Sequence, residues 1–294
     1  MSSKEILESF FKDGNQDLTI EDIITITFNQ YKNKKNNSSI YNIDDFTPQN
    51  LIKLYFSTDS NHSDFKDIVY NFKKKYLEQE SKLENVHSIE EIDGLGLVYD
   101  YIRSDEWMKC ANIYLIYLIN LKLFSLTPYP KAGGSLRNTD CYIKDSTINT
   151  CPYNYISTAI SNLYFEFDSL IKRGLDLGNH TDFEDEENLI NYINDCLKLK
   201  CKLIQIHPFY DGNGRTMRAM VNLLFKLAGL PPVYVKLSER DKYLEGMSKA
   251  ILENNYNYIN KFYYYKICDS ILELDVNKRL RKDKKIRKLI KKED

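Results

Sequence analysis

Twelve consecutive residues, HPFYDGNGRTMR at 207–218, gather one histidine, one carboxylate, two glycines, an asparagine and two arginines. A buried helix would not choose that mixture. Pro208 discourages the preceding helix from running on. Gly212 and Gly214 permit backbone shapes that other residues resist, and Met217, Val221, Leu224 and Phe225 then resume helical spacing. A glycine-flanked loop that opens a helix presents free backbone N–H groups at the positive end of the helix dipole, which is an anion site. Arg215 and Arg218 in the first turn oppose that dipole unless a polyanion sits above them, and a di- or triphosphate fits. Asp211 reads as a Mg²⁺ ligand, because such ions bind through one or two carboxylates plus phosphate oxygens. His207 is the one group of the cluster that titrates near neutrality, and it can take a proton from an attacking hydroxyl. Anion cradle, metal ligand, base and arginines together are the parts needed for nucleotide phosphate transfer.

The string also resembles the Fic family motif, H-P-F-x-[D/E]-G-N-G-R-x-x-R, with every fixed position filled. The resemblance extends over about residues 90–275, through the helix before the motif and VNLLFKLAGLPPVYVKLSERDKYLEGMSKAI after it. It implies a largely helical core and transfer of AMP from ATP to a Ser, Thr or Tyr hydroxyl of a target protein, with release of pyrophosphate. On this chain it makes His207 the base and Asp211 the Mg²⁺ ligand. Gly212, Asn213 and Gly214 become the anion hole, Arg215 a phosphate contact, and Arg218 the holder of the γ-phosphate. The segment 133–145 corresponds to the family's flap, where Leu136 would pair with an extended target by strand addition. Tyr243 is a candidate for the nucleotide pocket, and core packing is its competing reading. Phe209 reads as core.

Many members of that family carry an inhibitory glutamate in [S/T]-x-x-x-E-[G/N]. The stretch ESKLENVHSIEEI at 80–92 is similar, with Glu84-Asn85 at its end and Glu80 where Ser or Thr is expected. The resemblance therefore implies that Glu84 pairs with Arg218 and competes with the γ-phosphate. A solvated helix charge is the alternative for Glu84. Transfer of another phosphate-containing group, or removal of AMP from a modified protein, are the alternatives within the family.

The elements that must position these residues read as helices. Seven prolines and eleven glycines in 294 residues leave long unpunctuated stretches. The fold class expected is all-α, with a short β-hairpin in SLRNTDCYIKD as the one strand candidate. Helices are expected over Ile6–Phe11, over Glu21–Tyr31 after Thr19, and after Thr47-Pro48. Another starts at Ser63, with Phe65, Ile68, Val69, Phe72 and Tyr76 at helical spacing. Ser88 with Glu91 reads as a capping box for a helix reaching about Ile102. Further helices follow over Trp107–Phe124, Tyr155–Leu175, Asp185–Ile206, Thr216–Leu227, Glu239–Leu252 and Tyr258–Leu274. The organisation expected is an N-terminal helical region with the brake (1–89), a core (90–275) and a basic tail (276–294). The first 80 residues match no pattern; supporting the brake, building a homodimer contact and recognising the target are the roles open to them.

Composition limits the remaining classes. The net charge of −1 gives no general attraction to nucleic acid or membrane. The tail KRLRKDKKIRKLIKK holds ten Lys or Arg, and binding of nucleic acid or anionic lipid there is the non-enzyme alternative. The six cysteines form no CxxC pair, so reduced, mostly buried thiols are expected and not a zinc site. The N-terminus has no apolar core of signal-peptide length, and the run IYLIYLINLKLF at 113–124 is short and interrupted by Asn120 and Lys122, so it reads as a core helix. A cytoplasmic protein is the expectation, and 23 tyrosines make self-modification a further one.

Overall fold

In the computed structural model, residues 63–143, 146–179 and 186–274 are described. The expected helices over 6–11, 21–31 and after Thr47, and the basic tail, lie outside them. Two compact units are present. The larger, within Tyr70–Asn260, holds every residue of the motif; the described residues of the smaller are 63–69 and 261–274.

Among the described residues the helices are α1 (Ser63–Leu83), α2 (Ile89–Arg103), α3 (Leu115–Phe124), α4 (Ile156–Ser161), α5 (Tyr164–Asn179), α6 (Glu186–Ile206), α7 (Asn213–Leu227), α8 (Arg240–Leu252) and α9 (Asn257–Glu273). The architecture is all-α, as expected. Within the larger unit α7 is the axis: 13 of its 15 residues are buried, so it has no solvent face and must be wrapped. Helices α2, α3, α5 and α6 pack around it. The wrapping face of α3 is Leu115, Ile116, Ile119, Leu123 and Phe124, all buried. Each such side chain contributes about 1.5–3 kcal/mol.

Several expectations change in detail. The helix expected over Trp107–Phe124 is split into a 3₁₀ turn at Glu106–Cys110 and α3. Asn112 causes the break: its Oδ1 accepts from the Tyr114 N–H at 2.9 Å, a local turn that competes with the helix. The helix over Tyr155–Leu175 is likewise two, α4 and α5, separated at Asn162-Leu163. The capping box is half formed. Ser88 Oγ accepts from the Glu91 N–H at 3.3 Å, but the Glu91 carboxylate turns away from the cap into the core. Five cysteines are free thiols, and Cys196 and Cys201 alone of these are buried, because the other three lie on loops or turns.

The expected hairpin does not form a ladder among the described residues. Leu136 instead makes an isolated antiparallel bridge with Phe209 of the motif. The carbonyls of Thr139 and Cys141 go to side chains, Arg137 NH1 at 2.7 Å and Thr150 Oγ1 at 2.6 Å. Backbone groups already taken this way are unavailable to a partner strand. No helix among the described residues is long and apolar enough to cross a membrane.

Candidate active site

The site is built where α6 ends and α7 begins. α6 closes at Ile206, and His207 takes a left-handed backbone with φ 50°. Such a helix terminus ordinarily takes glycine. Pro208 then sends the chain across to Gly212, which also lies at positive φ (74°) and caps α7. Between them Asn213 locks the loop: its Nδ2 donates to the Phe209 carbonyl at 2.8 Å and its Oδ1 accepts from the Phe209 N–H at 3.0 Å. The Asn213 side chain therefore faces inward, and its contribution to an anion hole is its backbone. The first helical bond runs from the Thr216 N–H to the Gly212 carbonyl at 2.9 Å. The N–H groups of Asn213, Gly214 and Arg215 precede that bond and have no helical acceptor.

Glu84, just past the end of α1, reaches this turn. Its Oε1 occupies the space that a Cβ on Gly214 would take, so residue 214 has to be glycine for the carboxylate to come so close. The same oxygen lies 2.7 Å from Arg218 NH2. By distance this is an ion pair, but its angle is poor for a hydrogen bond. Burial pushes the Glu84 carboxyl up and the Arg218 guanidinium pulls it further down, leaving it below its ordinary value.

A second carboxylate meets the same arginine. Arg218 Nε donates to Glu80 Oε2 at 2.6 Å, and both side chains are enclosed. Glu80 is the position where Ser or Thr was expected, and its replacement sets a second carboxyl group against Arg218; burial pushes that carboxyl up and Arg218 opposes the shift. Tyr243 lies beneath the guanidinium, its ring 6.0 Å from the Arg218 Cζ. Tyr243 is buried, and its hydroxyl accepts from Lys200 Nζ at 2.8 Å.

Arg215 is held in parallel. Its NH1 donates to Glu91 Oε2 at 2.7 Å, and Tyr129 donates to the other oxygen of Glu91 at 2.9 Å. Asp211 stands 3.7 Å from Arg215 NH2 with 70% of its side chain exposed. It is an open oxygen donor beside the turn, which suits a hard cation that also binds phosphate oxygens. The His207 ring is within electrostatic reach of Glu84 and Asp211, and burial lowers its pKa, which favours the neutral imidazole at pH 7.

Asn120 underlies the whole loop. From α3, fully buried, its Nδ2 donates to the Asp211 carbonyl and to Thr216 Oγ1, each at 3.1 Å, and its Oδ1 accepts from the Gly134 N–H at 2.8 Å. One side chain thus ties the anion loop to the base of the flap.

The structure therefore brings His207, Asp211, Gly212, Asn213, Gly214, Arg215, Arg218, Glu84 and Tyr243 to one cluster, with Leu136 joined to it through Phe209. The model of the Fic/DOC family matches residues 160–225. The protein adenylyltransferase Fic of Nematostella vectensis is 38% identical over 161 residues, covering 54% of this chain and 34% of the relative. The enzyme of the same name from Drosophila grimshawi is 41% identical over 66 residues, 22% of this chain and 14% of that protein. The chain thus spans about a third of the length of the first of these relatives and less of the second. A Fic domain containing signaling protein from Bacteroides thetaiotaomicron shares the fold at TM-score 0.61 and 15% identity, over 78% of this chain and 98% of that one. Fic-1 from C. elegans does so at TM-score 0.56 and 18% identity, over 79% and 73%.

Within this cluster, sequence reading passed over Glu91, Asn120, Arg137, whose Nε donates to the His207 carbonyl, and Tyr210, whose hydroxyl accepts from the Asn138 N–H at 2.9 Å. Asn120 carried one signal, as a polar interruption of an apolar run. Glu91 was visible only as a cap. Arg137 and Tyr210 had no local signal, since their partners lie about 70 residues away along the chain.

Proposed function

We propose that this chain is a protein adenylyltransferase. It moves AMP from ATP to a Ser, Thr or Tyr hydroxyl of a target protein, and Glu84 restrains it. One observation carries the reading: the cradle at the start of α7 already holds a carboxylate, Glu84, against Arg218 and above Gly214. A site that attracts one anion so closely is built for a competing anion.

In the proposed reaction the hydroxyl oxygen of the target attacks the α-phosphorus of ATP. A new P–O ester bond forms, the bond between the α-phosphorus and the bridging oxygen breaks, and pyrophosphate leaves with that electron pair. His207 takes the hydroxyl proton through Nε2, the nitrogen opposite its enclosed Nδ1. The backbone of Gly212, Asn213 and Gly214 and the side chain of Arg215 hold the phosphates. Arg218, once Glu84 moves off, takes the γ-phosphate and so aligns the α-phosphate. Asp211 would hold Mg²⁺, which when bound neutralises phosphate charge. Tyr243 supports Arg218 from below, and Leu136 lies on the flap where an extended target would pair. In this reading residues 1–89 carry the brake and 90–275 the core.

A second reading, removal of AMP from a modified protein, is favoured by the charge of the cluster. Four carboxylates, Glu80, Glu84, Glu91 and Asp211, stand with two guanidiniums, Arg215 and Arg218. A phosphate of low charge suits such a site better than a triphosphate.

The test uses purified protein, Mg²⁺ and ATP labelled at the α-phosphate, with wild type, Glu84→Gly and His207→Ala. Strong label with Glu84→Gly, weaker label with wild type and none with His207→Ala is expected. Absence of label in all three, with a cell lysate as target and other nucleotides in parallel, would sink the transferase reading. Release of AMP from a pre-modified protein by wild type would then support the second.

A further inference from the structure

Arg137 is buried to 2% exposure, yet its one acidic neighbour among the described residues, Asp140, is 3.8 Å away and largely in solvent. An enclosed cation needs compensation. Here the compensation is main chain. Nε donates to the His207 carbonyl at 2.7 Å and NH2 to the Ile206 carbonyl at 3.3 Å. NH1 reaches the Thr139 carbonyl at 2.7 Å, and NH2 also meets the Cys151 carbonyl. The first two carbonyls end α6, the negative pole of that helix, where a cation is favoured. The backbone of Arg137 joins the same point, its N–H donating to the Pro208 carbonyl at 2.9 Å.

His207 is the residue this arrangement addresses. A left-handed backbone is unfavourable for a non-glycine residue and persists only when its surroundings impose it. Its N–H is held by the Leu203 carbonyl at 3.0 Å and its own carbonyl by Arg137, so both ends of the residue are fixed. With the carbonyl released, the backbone is free to relax toward ordinary φ and carry the ring with it.

We propose that Arg137 is the positioning residue of the base: its guanidinium holds the terminal carbonyls of α6, fixes the His207 ring in the site, and docks the flap to the same point. The inference rests on the adenylyl-transfer reading for its kinetic test, and has a second test that does not. Arg137 also faces the ring as a charge, together with Glu84 from the end of α1 and Asp211 from the loop.

The experiment uses the full chain carrying Glu84→Gly, compared with Arg137→Lys and Arg137→Gln in the same background. Transfer to protein is measured against ATP concentration and pH. The His207 ring is titrated by NMR of its Cε1–H signal, identified by its loss in His207→Gln. The anion loop is untouched by either variant, so KM for ATP is expected to stay within about twofold while kcat falls roughly 10²-fold. Removing the cation with Arg137→Gln is expected to move the His207 titration and the acid limb of kcat to higher pH. Arg137→Lys, which keeps the charge, is expected to hold both near the parent position. A folded Arg137→Lys protein with the parent's kcat overturns the proposal, as does an unmoved His207 titration in Arg137→Gln. If Arg137→Gln does not fold, Arg137→Lys decides through kcat against KM. Should the parent transfer no label at all, the adenylyl-transfer reading fails, and the NMR titration still decides whether Arg137 sets the histidine.

Discussion

Arg218 Nε lies 2.6 Å from Glu80 Oε2, with 4% and 1% of the two side chains exposed, while Glu84, on the same guanidinium, keeps 34% of its side chain in solvent. The two carboxylates are therefore unequal. Glu80 is the enclosed partner of a buried arginine, and Glu84 is the arm that an incoming anion would displace in the proposed reaction. Removing one partner of a buried pair strands the other, at about 3–5 kcal/mol. Glu80→Ala should thus lower stability by about that amount, and Glu84→Ala by much less. Urea melts of the two variants give the comparison directly. Equal losses would mean that both arms are structural.

The same inequality bears on nucleotide affinity. Glu84→Gly still leaves Arg218 bonded to Glu80. A hydrogen bond to a charged group contributes about 1.5–3 kcal/mol, so freeing Arg218 for phosphate is worth at least roughly tenfold in affinity. Glu80→Ser in a Glu84→Gly background should lower the ATP dissociation constant by that factor, read by calorimetry. An unchanged constant would show that Glu80 leaves enough of the guanidinium open.

The pH dependence of the proposed brake follows from the Glu84 carboxyl, which lies below its ordinary value. A carboxyl depressed on folding stabilises the native state above the unfolded pKa, about 4.3, and loses that contribution as pH falls through the folded value. The difference in Tm between wild type and Glu84→Gln should therefore be constant from pH 7 to 5 and shrink only in acid. A difference that vanished near pH 6 would place the effect on another group.

His207 has the same sign, in a higher pH window. Its pKa is lowered by burial, so the unfolded chain binds its proton first as pH falls below about 6.5. Stability is lost over the window between that value and the lower folded one. His207→Gln should flatten this part of the Tm–pH curve, and a curve as steep as that of wild type would contradict the buried neutral imidazole.

Asn120 satisfies the buried Thr216 hydroxyl and two part-buried groups, the Asp211 carbonyl and the Gly134 N–H; leaving a fully buried group without a partner costs about 1–3 kcal/mol, and a part-buried one less. Asn120→Ala is expected to destabilise the protein by several kcal/mol and to speed amide exchange at Gly134. If exchange at Gly134 is unchanged, the link between loop and flap is not a mechanical one.

The motif at 207–218 could be read from the sequence because its geometry is local. A helix stop, a left-handed glycine and a helix start are decided by residues within a few positions of one another. Helical spacing located α1, α6 and α7 for the same reason. The hairpin failed because the described part of the segment, 133–143, finds its partners in side chains and in Phe209, and alternation along the strand carries no information about either.

What the sequence by itself determined, then, is the chemistry: which twelve residues make an anion cradle, which histidine and carboxylate stand beside it, and that helices carry them. The tertiary structure alone decided how that cradle is filled. The partners that decide it are far apart in the chain, 138 residues for Glu80 and Arg218, 124 for Glu91 and Arg215, and 91 for Asn120 and Asp211. No periodicity links such pairs. They meet because α7 is wrapped on all sides, and every charge near its N-terminus must find its counter-ion on the helices that wrap it.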